Sequence, residues 1–310
     1  MKTTPSPYSP NLPYPLIVIL GPTSSGKSTL GIKLARKFRG EIVSADSRQV
    51  YIGMDLGTGK VTKQEQKMAP HHLLDIIFPK KQYSASEYKR DANVAIKNIL
   101  DRNKVPFLVG GTPFYIYSVA DDLSFPEVAP NPKLRAQLEK KTTAQLLSML
   151  KKLDPRRAET IEQQNPHRLI RAIEIVKATG QPVPLITKKK SPYSLLILGL
   201  NPGNEKLFKL IDNRIEKRLK AGMVKEVKKL LKSGVTYKRL FEMGLEYRFV
   251  SEHLRGRLTY DQMKAELKTA SHKFARRQMT WFRSDSRIKW ITTKNQAEQH
   301  VRKFLKYCRI

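Results

Sequence analysis

Leu16-Ile17-Val18-Ile19-Leu20 is an unbroken apolar run ended by Gly21-Pro22, the pattern of a strand buried on both faces. Leu30, Leu34 and Phe38 follow at helical spacing and predict a helix from about Lys27 to Phe38. Glu41 to Ala45 reads as a second short strand. Ser86 to Leu100 reads as a helix with Tyr88, Ala92, Ala95, Ile96 and Leu100 on one side. Val105 to Val109 is another buried strand, broken by Gly110-Gly111. This alternation predicts an α/β fold built on a parallel sheet.

The rhythm then changes. From Asn131 to about Thr179 the pattern is helical only, carried by Leu134 and Leu138, by Leu146, Leu150 and Leu153, and by Leu169, Ile170, Ile173 and Val176. Strand character returns at Leu195 to Leu198. The expected organisation is an α/β core made of 16–121 and 191–290, with a helical insertion at 122–190. Beyond Pro202-Gly203, one helix is expected to carry Leu207, Ile211, Ile215, Leu219 and Val227, with Asn204 as its N-cap and Ser233-Gly234 as its stop. A last strong helix is predicted from Asp261 to Phe282, followed by a tail over 291–310. Residues 1–15, with prolines at 5, 7, 10, 13 and 15, read as a disordered lead-in.

Composition narrows the classes of function. The chain has 310 residues with a single cysteine, Cys308, which excludes an internal disulfide framework and a cysteine-built zinc site. No apolar run is long enough for a membrane span, and the first residues lack the pattern of a secretory signal. The expected compartment is the cytoplasm, with no membrane partner. Fifty-nine Lys and Arg face 27 Asp and Glu, a net charge of +32. The excess grows along the chain: 17 basic against 8 acidic residues in 1–120, 14 against 8 in 121–190, and 28 against 11 in 191–310. Such a balance points to a polyanionic partner, because basic side chains at phosphates release condensed counterions.

The segment Gly21-Pro22-Thr23-Ser24-Ser25-Gly26-Lys27-Ser28 fits the phosphate-loop pattern, with the required strand before it and helix after it. Backbone amides of such a loop wrap an anion and the helix N-terminus adds its dipole. Lys27 is placed to reach the outer phosphate and Ser28 to ligate Mg²⁺. The next strand ends in Asp46, at the edge where an open parallel sheet holds its ligand. The strand ending at Val109 runs into Gly110-Gly111-Thr112 and not into an acidic residue. That absence of a Mg²⁺-organising carboxylate disfavours a motor ATPase and favours a small transferase whose Asp46 works on the acceptor.

Seven ordered blocks carry a family resemblance: Gly21 to Ser28, Ser44-Ala-Asp-Ser-Arg-Gln-Val-Tyr51, Met54-Asp-Leu-Gly-Thr58, His71-His-Leu-Leu-Asp75, Leu108-Val-Gly-Gly-Thr112, Arg168 to Glu174, and Ala275 to Arg283. Together they resemble the bacterial tRNA dimethylallyltransferases from about Leu16 to about Trp290. The resemblance implies a P-loop NTPase-like core that transfers a dimethylallyl group from dimethylallyl diphosphate to N6 of the adenosine immediately 3′ of the anticodon. The tRNAs concerned read codons that begin with U, and diphosphate is released. It implies that the phosphate loop holds the donor's diphosphate, that Thr23 and Lys27 assist catalysis, and that Asp46 is the general base. It also implies tRNA contacts at Asp46, Ser47, Arg48, Gln49 and Thr112, at His167, Arg168, Leu169, Ile170 and Arg171, and at Arg277. The partners expected are the anticodon stem-loop and the donor, with Mg²⁺, for a chain acting as a monomer. The sequence departs from the family pattern at His272, where many members carry an arginine that assists the donor diphosphate. Arg276 and Arg277 are the candidates for that role. It departs again at Met243 to Arg248 and at Pro113-Phe114.

The residues allow other readings at this stage. A P-loop small-molecule kinase fits the loop but not the basic C-terminal third. A prenyltransferase acting on free adenine nucleotide has no need of a basic helical insertion. A non-catalytic RNA chaperone has no need of Asp46 beside an intact loop. His71 and His72 lack partners at metal-ligand spacing apart from Asp75. Arg276 to Arg283 alternates basic and aromatic residues, which suits either a core-packed helix with a basic face or contact with phosphate and base. Lys188 to Lys190 reads as a solvated linker.

Overall fold

The computed structural model describes residues 14–187 and 189–308. The sheet is wholly parallel, as the alternation predicts. In chain order its first half comprises β1 (Tyr14–Leu20), α1 (Lys27–Lys37), β2 (Gly40–Ala45), α2 (Lys63–Met68), β3 (His71–His72), α3 (Ala85–Asp101), β4 (Val105–Gly110) and α4 (Pro113–Ala120). The helices of the insertion are α5 (Pro132–Leu138), α6 (Thr143–Leu153), α7 (Pro155–Thr160) and α8 (Pro166–Thr179). Then come β5 (Tyr193–Leu200), α9 (Asn204–Lys220), α10 (Met223–Lys232), α11 (Tyr237–Met243), α12 (Leu245–Leu254), α13 (Tyr260–Arg283), β6 (Lys289–Ile291) and α14 (Lys294–Leu305). The strand order is β3-β2-β4-β1-β5-β6.

Alternate residues of β1 serve two cores. Leu16, Val18 and Leu20 pack with Tyr88, Ile96 and Ile116 on the face covered by α3 and α4. Ile17 and Ile19 pack with Leu30, Leu34, Ala297 and Val301 on the face covered by α1 and α14. Burial on both faces is why the strand reads as a continuous apolar run. A third core lies among α9 to α13, where Leu207, Ile211, Val227, Leu240, Val250 and Leu267 enclose Val50, Tyr51 and Met54.

The chain divides into two compact units, residues 1–122 with 190–310, and residues 123–189. The second has its own core of Leu138, Leu146, Leu150, Leu169, Ile173 and Val176. Its ion cluster centres on Glu174, almost fully buried, which accepts from Arg135, from Arg171 and from the Asn131 amide.

Several expectations change. The stretch from 204 to 233 is two helices, because the chain turns at Gly222 with φ 103. The N-cap of the first is Gly203, and Asn204 is already helical. Residues 291–308 are not a tail: α14 places Ala297 and Val301 against the sheet, next to Ile291 of β6. Of the proline-rich lead-in, Tyr14 and Pro15 belong to β1 and pair with Tyr193 and Ser194, while 1–13 lie outside the described residues. No helix among the described residues is long and apolar enough to cross a membrane.

Candidate functional site

Connections from β1 run toward β2, and those from β4 run toward β5 on the other side, so the crevice opens at the carboxyl ends of β1 and β4. The phosphate loop follows β1 and Thr112 follows β4. Gly26 takes φ 87 just before α1, a left-handed turn that glycine adopts without strain. Gly111 is required by crowding: a Cβ there would stand 2.7 Å from Gln278 Nε2 and 3.2 Å from Lys27 Nζ.

A cleft of about 510 Å³ opens over this edge. Thr23, Lys27, Ser28 and Arg214 line its cationic end, and Asp46, Ser47, Arg48, Gln49 and Thr112 line the adjoining wall. The remaining wall mixes the apolar side chains of Phe241, Met243, Leu245, Phe249 and Phe274 with the charged Glu246, Arg248, Lys273 and Arg277. Of the phosphate-loop residues, Gly21, Pro22, Ser24, Ser25 and Gly26 form the turn that presents Thr23, Lys27 and Ser28.

Lys27 donates to Pro22 O at 3.2 Å. Burial of its ammonium end, opposed by the charge of Asp46 and reinforced by Arg214 and Arg218, lowers its pKa to about 8. Arg214 on α9 donates to the Thr23 hydroxyl, and its Nε is buried without a partner among the described residues. Burial, with Arg218 nearby, lowers its pKa to about 9, while Glu246 and Asp46 act in the opposite direction. Arg218 is held by Glu246 at 3.1 Å. A buried cluster so rich in cations is costly by itself and fits a multiply charged anion.

Asp46 Oδ1 accepts the amides of Arg48, at 2.9 Å, and Gln49, at 3.4 Å. The turn is tied to the neighbouring strand end by Thr112, whose Oγ1 accepts the Ser47 amide at 3.0 Å. Gln49 Nε2 donates to Gly59 O at 3.2 Å. The loop around Gly57 and Gly59 forms the far wall, and Glu226 fixes it by accepting the amides of Asp55, Leu56 and Gly57 and the Tyr247 hydroxyl. These contacts leave Asp46 Oδ2 without a hydrogen-bond partner among the described residues.

The structure brings together Thr23, Lys27, Ser28, Asp46, Ser47, Arg48, Gln49, Thr112 and Arg277, all on one cleft. It separates the two candidates considered beside His272: Arg277 lines the cleft, whereas Arg276 lies over the Phe208 ring. His272 itself is paired with Asp212 at 2.8 Å and stacked on Phe208. In the second unit, His167 and Arg168 are exposed. Leu169 and Ile170 are buried in that unit's core, so their side chains are not exposed for an RNA contact. Arg171 is engaged by Glu174 and by Val128 O.

Arg214 and Gln278 are absent from the expected set. Positions 207, 211, 214 and 218 share one helical face, so two arginines continuing the stripe of Leu207 and Ile211 were a signal of buried charge. Gln278 falls on the buried stripe of Ser271, Ala275, Met279 and Phe282. His71 and His72 are structural: His71 contacts Ala69 O, and His72 contacts Glu41. Burial would raise the Glu41 pKa, but hydrogen bonds from Arg102, Lys104 and His72 prevail and hold it at about 2. Among the described residues no group of three His, Cys, Asp or Glu could hold a metal.

The sequence matches the family model for IPP transferase over residues 49–285. It is 39% identical over 294 residues to a tRNA dimethylallyltransferase of Carboxydothermus hydrogenoformans, covering 92% of this chain and 94% of the relative. It is 43% identical over 277 residues to one of a Roseiflexus species, covering 87% and 90%. Among solved structures it resembles the tRNA isopentenylpyrophosphate transferase of Bacillus halodurans, with TM-score 0.70, 32% identity and coverage of 94% and 95%. It also resembles a eukaryotic dimethylallyltransferase acting on tRNA, with TM-score 0.76, 27% identity and coverage of 94% and 77%.

Proposed function

The chain belongs to the IPP transferase family and transfers a dimethylallyl group to tRNA, and we propose that the acceptor is N6 of the adenosine 3′-adjacent to the anticodon in tRNAs reading codons that begin with U. The donor is dimethylallyl diphosphate and the by-product is diphosphate. The observation that carries this reading is the placement of the Lys27–Arg214 cationic end next to Asp46 within a single cleft. One end suits a diphosphate, the apolar side chains of Met243, Leu245 and Phe274 suit a prenyl group, and the carboxylate suits an amine.

The N6 lone pair attacks C1 of the dimethylallyl group, the C1–O bond breaks, and its electron pair leaves with the diphosphate. An exocyclic adenine amine is a poor nucleophile, because its lone pair is delocalised into the ring. Asp46 accepts its proton as the new C–N bond forms. Loop amides, Lys27, Arg214 and the Thr23 hydroxyl stabilise the charge gathering on the leaving group. The target base must leave its stack to enter the cleft, where Ser47, Arg48, Gln49, Thr112 and Arg277 are placed to contact it and its backbone. In the helical unit, His167 and Arg168 are exposed and within reach of RNA, with Arg168 also paired to Glu162 at 3.4 Å.

The oxygen donors present suit Mg²⁺, which takes few protein ligands and completes its shell with water and phosphate oxygens. Ser28, with the donor's phosphates, would hold it, and when bound it supplies positive charge against the leaving diphosphate. A tRNA substrate fits work in the cytoplasm, and every residue of the proposed donor site comes from this one chain, which fits a monomer.

The test pairs each donor with each acceptor. Protein and Mg²⁺ are incubated with labelled dimethylallyl diphosphate or γ-labelled ATP, and with tRNA or AMP. Label is expected to pass from the prenyl donor to tRNA alone. Transfer from ATP, or transfer to AMP at a comparable rate, would overturn the proposal.

A further inference from the structure

At the mouth of the cleft, α11 ends and α12 begins at a single glycine, Gly244, with φ 74 and ψ −176. The corner folds the end of α11 against the start of α12. Arg248 lies over the Phe241 ring, 4.3 Å from its centroid, and 5.6 Å from the centroid of the Phe249 ring. Both Phe241 and Arg248 line the cleft, and Phe241 is 45% exposed. Among the described residues Arg248 has no carboxylate partner, whereas Arg218, Arg239 and Arg287 are all paired. The corner is linked to the catalytic wall through Arg48, whose Nη1 approaches Met243 Sδ at 3.7 Å.

We propose that the Phe241–Arg248 stack is a base platform that receives a nucleobase flanking the target adenosine. This rests on the tRNA-modifying function above. Turning one base out of a stacked loop leaves its neighbours with an open face, and unpaired bases in RNA are bound by stacking on aromatic rings and guanidinium planes. The platform has a partly exposed aromatic ring and a cation with no carboxylate partner among the described residues, and it shares a cleft with Asp46. A purely apolar ligand would gain nothing from the unpaired guanidinium, and an anion alone would gain nothing from the exposed ring. A nucleotide uses both. Arg248 ends the segment where the sequence departs from the family pattern, and Phe241 lies just before it.

The experiment uses the full chain, dimethylallyl diphosphate and synthetic anticodon stem-loops that are intact or abasic at the nucleotide 5′ or 3′ of the target. Wild-type transfer to the intact stem-loop is measured first, and its absence would indict the function rather than the platform. Phe241→Ala should weaken binding of the intact stem-loop about tenfold, the size of one base–aromatic stack. Its KM for the donor should stay within about twofold of wild type, and Phe241→Trp should restore RNA binding. Wild type should lose a similar factor on one of the two abasic stem-loops, and Phe241→Ala should lose nothing more on that RNA. Arg248→Gln should show the same non-additivity. Unchanged RNA binding by Phe241→Ala, or penalties that add in full at both flanks, would overturn the proposal.

Discussion

The Thr23 amide donates to Gln278 Oε1 at 2.9 Å, joining the phosphate loop to a helix 255 residues away. The same side chain donates from Nε2 to Gly111 O. Gln278 therefore ties together the loops after β1 and β4, the two lips of the crevice, and it is buried. Truncating it strands a half-buried amide and a buried carbonyl, which costs about 1–3 kcal/mol for the buried group and less for the other. Gln278→Ala should lower the melting temperature by several degrees and raise the KM for dimethylallyl diphosphate more than that for tRNA. Equal rises in both, or no change in either, would show that Gln278 does not position the phosphate loop.

Asp46 is both a turn residue and the proposed base, and the two roles can be separated. Asn keeps an oxygen for the Arg48 and Gln49 amides but cannot take a proton. Asp46→Asn should leave donor and tRNA dissociation constants within a few-fold of wild type and lower kcat by about 10²–10⁴. Single-turnover kinetics with saturating donor gives the number. Retention of half the wild-type rate would leave Asp46 a structural residue.

Lys27 gives donor binding a pH dependence of known sign. With a folded-state pKa of about 8, it is charged at neutral pH and loses its proton as pH rises past that value. Donor affinity of the free enzyme should therefore fall from about pH 8 upward. Stability should move the other way. The folded-state pKa lies below the ordinary value of 10.5, so the charged form burdens the fold below about pH 8, and this burden lifts between there and about pH 10.5. Lys27→Met should weaken donor binding and raise the melting temperature at neutral pH. Isothermal titration across this range, with calorimetry on the variant, tests both. A flat donor affinity between pH 7 and 9.5 would remove Lys27 from the diphosphate grip.

The parts legible in the sequence are those where structure follows local pattern. The run 16–20, the loop 21–28 and the helix after it are contiguous, so the apolar run and the phosphate-loop pattern sufficed. β3 was not legible, because two residues, His71 and His72, become a strand only by pairing with Ile42 and Val43. α14 shows just Ala297 and Val301 as buried positions in a mostly polar segment, too weak a stripe to outweigh its position after the last strong helix. The break at Gly222 was hidden because the apolar stripe resumes beyond it at Met223 and Val227. At the site, Lys27 and Asp46 carry motif signals, whereas Arg214 and Gln278 acquire their roles through contacts nearly two hundred or more residues away. Leu169 and Ile170 sat inside a matching block, and only their burial separates them from exposed Arg168 beside them.

The helical unit can be removed cleanly, and its removal separates the two substrates. Ser124 and Thr187 stand at its two ends, and they are already bonded, amide to carbonyl at 3.0 Å and hydroxyl to hydroxyl at 2.8 Å. A short Gly-rich turn can thus replace 125–186 without stretching the chain. The unit has its own core, so its loss need not unravel the sheet. Every proposed donor contact lies outside it. Residues 121–190 hold 14 basic against 8 acidic groups, so the unit is a net cation. In the full-length chain, tRNA affinity should fall steeply with salt, with a log–log slope of about 0.7–0.9 per phosphate neutralised. Donor affinity should respond less, because fixed amides do much of the gripping. The deletion variant should bind dimethylallyl diphosphate within a few-fold of wild type, bind tRNA far more weakly, and show a shallower salt slope for what binding remains. Circular dichroism and a cooperative melt establish that the core has folded. If a folded deletion variant lost donor and tRNA binding equally, or kept the full salt slope, the helical unit would not be an RNA-gripping element.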